Sequence, residues 1–174
     1  MELVDWLSKK KQDITREWIR IAMQAYPPES LSILNRNKDQ FANPLPHIIS
    51  KNIELLFDEL LTGIDAKRTS PILAEIVKIK AVQDFTPSQA LQFVFDLKKI
   101  LHDLKKEKVE GEAMPYDQIR TMELEIDNLA NLAFDIYVNC REKLFEIRVN
   151  EIKNQTHMLV RRVNEMDKQK KEAR

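Results

Sequence analysis

The last third of the chain, Tyr116 to Arg174, contains neither glycine nor proline, although seven prolines and two glycines precede it. Nothing in that stretch breaks a helix or removes a backbone donor from one. Ile119, Met122, Ile126, Leu129, Ala133, Ile136 and Cys140 recur in alternating steps of three and four, the spacing of a heptad seam. Val149, Ile152, Thr156, Leu159, Val163 and Met166 form a second seam, out of register with the first. The spacing predicts one long helix whose buried face rotates between Glu142 and Arg148. At ~1.5 Å per residue it would run on the order of 85 Å, against ~30 Å for a small domain. Its first half is expected to pack on the body and its second half to leave it as an output helix. A second copy of the chain is the simplest cover for the protruding end. The first seam, Ile119 to Cys140, is the expected interface of a parallel homodimer.

The rest of the chain reads as shorter helices. Leu3, Leu7, Ile14, Trp18, Ile21, Ala22 and Ala25 form a stripe over residues 2–25, ended by Pro27 and Pro28. Residues 29–45 read as a connector anchored by Phe41, with a turn at Asn43-Pro44. A second helix over 46–62 carries Ile49, Ile53, Leu56, Phe57 and Leu60, and Gly63 is placed to cap it. Ser70-Pro71 reads as the start of a third helix ending near Asp84. Thr86-Pro87-Ser88-Gln89 is a capping box with proline at the first helical position. The helix behind it carries Ala90, Phe93, Val94, Leu97, Ile100, Leu101 and Leu104. No run alternates as a strand does, so the expectation is an all-α fold of about six helices.

Charge and composition narrow the function. The formal net charge is +0, which argues against a general grip on nucleic acid. One cysteine permits no internal disulfide framework. The start of the chain has no secretory apolar run, and no uncharged stretch approaches the ~20 residues that span a bilayer. A soluble cytoplasmic protein with no direct membrane insertion is expected. His47, His102 and His157 are far apart and form no local ligand pair. His102 reads as a partly exposed helix histidine, with a haem ligand as the rival reading. Cys140 reads as a small hydrophobe on its seam. Two isolated glycines make no phosphate loop, and no catalytic triad stands out. No enzyme activity, cofactor or metal is expected. Any small-molecule site should be apolar and lie between helices, with Trp18, Phe41, Phe57, Phe85 and Phe93 as candidate lining.

Three blocks then stand out together: Asp39-Gln-Phe-Ala-Asn-Pro44, Ile79-Lys-Ala-Val-Gln-Asp-Phe-Thr-Pro-Ser-Gln-Ala90 and Asp135-Ile-Tyr-Val-Asn-Cys-Arg-Glu-Lys-Leu-Phe-Glu-Ile-Arg-Val-Asn-Glu151. They resemble the RsbRD N-terminal domain family, the sensor half of stressosome-type RsbT co-antagonist proteins. The resemblance implies a globin-like helical domain without haem, dimeric, with a last helix leading to a STAS output domain. This chain is expected to be a stand-alone copy without the STAS domain, so phosphorylation and partner switching are not carried over. Residues 1–148 are expected to form the globin-like sensor domain and 149–174 a C-terminal helical extension. Val149, Ile152, Leu159, Val163 and Met166 then form the output surface. The leading expectation is a non-enzymatic signalling module that dimerises and contacts an unidentified regulatory protein. The alternatives are an adaptor subunit of a redox-associated assembly and a haem- or metal-binding globin-like protein.

Overall fold

A computed structural model of the chain describes residues 3–24, 26, 44–106 and 116–172. Five helices run through them: α1 (Leu3–Gln24), α2 (Pro44–Thr62), α3 (Ala66–Val82), α4 (Pro87–Lys106) and α5 (Tyr116–Glu172). There is no strand among the described residues, and the protein is all-α with a long C-terminal helix, as its periodicities predict. The connector expected over 29–45, with Phe41 and the Asn43-Pro44 turn, and the stop at Pro27 and Pro28 lie outside the described residues, apart from Pro44 and Leu45, which open α2. The chain divides into two compact units, Met1–Val138 and Asn139–Arg174. That division falls ahead of the expected one after Arg148. The reason is local: Tyr137 is the last buried side chain of α5, and all described side chains after it are half-buried or exposed.

Within the first unit, α1 packs on α2 and α4, and α3 packs on the same two helices. Leu7, Ile14, Trp18 and Ala22 of α1 are buried together, the face that the 3.6-residue period dictates. Ile49, Ile53, Leu56, Phe57 and Leu60 do the same for α2, and Ala90, Phe93, Val94, Leu97 and Ile100 for α4. Each Leu, Ile, Val or Phe among them contributes roughly 1.5–3 kcal/mol by leaving water. Polar contacts tie neighbouring helices at the surface: the ion pairs Lys11 to Asp58 (2.5 Å) and Lys98 to Asp127 (2.6 Å), and a hydrogen bond between His102 and Glu123 (2.7 Å). Pairs this exposed add little to stability.

The helix ends follow the sequence closely, with one exception. Gly63 has φ 92, a left-handed conformation that suits glycine where α2 stops. Thr86 and Gln89 form the expected reciprocal box. The Thr86 amide donates to Gln89 Oε1 at 3.0 Å and the Gln89 amide to Thr86 Oγ1 at 3.4 Å. Thr86→Ala should therefore lower stability by about 1 kcal/mol in chemical denaturation, and an unchanged midpoint would show the box to be idle. The exception is α3, which begins at Ala66 rather than at Ser70-Pro71. The Asp65 carboxylate accepts from the amides of Lys67 (2.8 Å) and Arg68 (3.2 Å), and so caps the helix a turn earlier. Pro71 sits inside α3 on an exposed face, where water can serve the carbonyl left without a donor.

The first seam of α5 needs a correction. Met122, Ile126, Leu129 and Ala133, expected at a dimer interface, are buried in the chain's own first unit; the last three are 0% exposed. Heptad spacing marks a covered face without saying what covers it, and here the body does. Ile119, Ile136 and Cys140, expected on the same interface, are half-buried.

Candidate functional site

The buried stripe of α3 runs Leu73, Ile76 and Val77, and the next position on that face is Lys80. Helix geometry thus drives an ammonium group into the core. Lys80 is 1% exposed. The chain then reverses tightly around it. Gln83 donates its amide to the Ile79 carbonyl (3.1 Å), Asp84 takes φ 59, and the Phe85 amide returns to the Lys80 carbonyl (3.3 Å). This is a Schellman-type ending with aspartate in the left-handed position that glycine more often fills. Its effect is to fold the Phe85 ring back over the Lys80 side chain.

Three rings surround the ammonium. Lys80 Nζ lies 5.1 Å from the ring centre of Phe85, 5.2 Å from that of Tyr26 and 5.7 Å from that of Phe93. All three fall within the ~6 Å reach of cation–π attraction, each worth on the order of 0.5–2 kcal/mol. The rings are held in turn. Tyr26 meets Phe85 edge to face at 5.5 Å. Trp18 stacks on Phe93 at 6.3 Å and donates its indole N–H to the Phe93 carbonyl at 2.7 Å. Tyr137 of α5 donates its hydroxyl to the Phe85 carbonyl at 2.6 Å. Lys80, near the end of α3, is thus faced by Tyr26 beyond α1, by Phe85 ahead of α4 and by Phe93 within α4, while Tyr137 of α5 holds the Phe85 backbone.

The electrostatics are unusual for a protein interior. Buried charges are ordinarily paired with an opposite charge, and Lys80 makes no ion pair among the described residues. Burial pushes its pKa down to about 8. Tyr26 is 6% exposed and its hydroxyl finds no hydrogen-bond partner among the described residues. Burial pushes that phenol up to about 12. The ammonium and the phenol thus line one cage, and neither has an acceptor among the described residues.

Of the aromatic candidates read from the sequence, Trp18, Phe85 and Phe93 do converge. Phe57 is buried on α2 and takes no part in the cage, and Phe41 lies outside the described residues. The centre of the cluster is cationic, whereas the sequence suggested an apolar pocket. Lys80 and Tyr26 were missed because neither is apolar. The available signal was a lysine at the position where the α3 stripe calls for another Leu or Ile. Elsewhere, His102 pairs with Glu123 on the surface, His47 and His157 are exposed, and Cys140 is half-buried. The described clefts avoid the cage. One lies between α1 and α4, lined by Asp13, Glu17, Arg20 and Lys99 among others, and one is a shallow groove along α5 beside Met158 and Leu159.

Val149 is half-buried, and Ile152, Leu159, Val163 and Met166 are each more than half exposed, as are Phe145 and Ile147. Every described side chain from Asn150 to Met166 faces solvent. No helix among the described residues is long and apolar enough to cross a membrane.

A family model described as the RsbT co-antagonist protein rsbRD N-terminal domain matches residues 12–152. The match includes α2, α3 and α4, Lys80 and each ring of its cage, and α5 as far as Ile152. No curated protein and no solved structure shows a significant match to the chain.

Proposed function

The chain belongs to the RsbT co-antagonist protein rsbRD N-terminal domain family, and from that premise we propose that it is a cytoplasmic signalling module of the stressosome type. It acts without catalysis, through pairing of its C-terminal helix and contact with a regulatory protein. The observation that carries this reading is the order of the apolar residues on the second unit. Phe145, Val149, Ile152, Thr156, Leu159, Val163 and Met166 alternate in steps of four and three, and apart from half-buried Val149 they are exposed. A helix that only faces water has no need of a heptad seam. An exposed apolar stripe of this length is the usual mark of a docking surface.

A second copy is the occupant we favour, aligned in parallel. Thr156 is the one polar residue on the seam, and parallel pairing sets it against its own counterpart rather than against leucine. Its hydroxyl already donates to the Ile152 carbonyl at 2.8 Å, so burial leaves no donor stranded. Sedimentation at micromolar concentration tests the pairing. The wild type should run as a dimer, and Val163→Asp should run as a monomer with its helix content kept. A monomeric wild type would remove the proposal.

A further inference from the structure

The caged lysine has a second meaning, beyond holding four helices together. We propose that Lys80 and Tyr26 form a binding site for a small organic monoanion, a monocarboxylate with a short apolar tail. The site names what the signalling module takes in. Binding and self-association are separate measurements, so either can fail alone.

Three observations carry it. First, Lys80 is 1% exposed, and no carboxylate pairs with it among the described residues. A buried cation without a counterion is incomplete in a way that a bound anion repairs. Second, the Tyr26 hydroxyl is buried and has no partner among the described residues. It belongs to the ring whose centre lies 5.2 Å from the ammonium, so the phenol and the ammonium line the same cage. Third, the remaining walls are aromatic, Phe85 and Phe93. They suit a hydrocarbon tail and offer nothing to a second negative charge. One cation, one neutral donor and apolar walls select a monoanion over phosphate or sulfate, whose further charge would stay uncompensated in a region of low dielectric.

Access and consequence follow from the same geometry. Phe85 is half-buried, the most solvent-near wall of the cage. An anion entering past it displaces the ring whose backbone carbonyl accepts the Tyr137 hydroxyl. Occupancy of the cage is thereby felt on α5, the helix that carries the exposed seam.

Thermal unfolding of the full chain at pH 7, with acetate, propionate and butyrate as probes and sulfate at equal ionic strength as control, tests the site. A monocarboxylate should raise the midpoint in a saturable way. At a hundredfold excess over its Kd, the folded-to-unfolded ratio should rise about a hundredfold. Tyr26→Phe should weaken that response about tenfold or more, the usual loss of a hydrogen bond to a charged group. Lys80→Met should fold at least as well as the wild type and show no saturable response. The proposal is overturned if none of the three carboxylates gives a saturable shift in the wild type. It is equally overturned if the shift survives in Lys80→Met or is matched by sulfate.

Discussion

Ile126→Asp should abolish the folded body at 25 °C. Ile126 is 0% exposed and shares its face with Met122, Leu129, Ala130 and Ala133, all buried. Removing the isoleucine side chain alone costs about 2–5 kcal/mol. The introduced carboxylate either stays charged in the core or takes up a proton at a further cost of several kcal/mol. Together these are comparable with the ~5–15 kcal/mol that holds a domain folded. Far-UV circular dichroism and urea titration read the result as lost cooperativity. The same change at Val163, which is 56% exposed, should leave the body's cooperative unfolding in place, because it buries no charge in the core and Asp and Val differ little in helix propensity. A folded Ile126→Asp variant that merely loses its partner would restore the first seam to a dimer interface.

The stability of the protein should climb as pH rises from about 8, and Lys80 should be the reason. An ordinary lysine titrates near 10.5, whereas burial holds Lys80 near 8 in the native state. Below pH 8 both states carry the proton, and the native state bears the full cost of burying the charge. Between 8 and 10.5 the native state has shed its proton while the unfolded chain keeps it. The unfolded state then binds more protons, so stability rises with pH. The rise approaches on the order of 3 kcal/mol by pH 10.5 and then levels off. Tyr26 acts in the opposite sense higher up. Its native phenol holds the proton to about 12 while the unfolded one releases it near 10, so stability falls across that interval. Lys80→Met isolates the first effect, since all other groups are shared. The stability gap between it and the wild type should be widest below pH 8, in favour of methionine, and should narrow by pH 10.5. A gap independent of pH would mean that Lys80 is not desolvated.

Much of the architecture can be read from punctuation and period alone. Gly63 and the Thr86–Gln89 box place two helix ends correctly, because a left-handed residue and a reciprocal cap are local devices. Trp18 lies on the apolar stripe of α1, and the structure buries it completely. The start of α3 was misplaced because Asp65 and Ser70-Pro71 offer competing caps, and the carboxylate meets two amides first. The Met122–Ala133 seam was recognised as covered but given to the wrong cover. A helix packed on its own body and one packed on a twin bury the same spacing of residues. The cage was invisible for a different reason. Tyr26 lies far along the chain from Phe85 and Phe93, and the centre is a residue type that patterning assigns to solvent.

Parallel pairing of two copies along the second seam of α5 can be read out by oxidative cross-linking. Thr156→Cys is made in a Cys140→Ser background, with Asn154→Cys, on the opposite face of the helix, as control. Parallel pairing brings position 156 of one copy against position 156 of the other, while the two copies of position 154 point apart. Mild oxidation should convert most of Thr156→Cys to a disulfide-linked dimer and little of Asn154→Cys. Equal cross-linking at the two positions, or none at 156, would contradict the account.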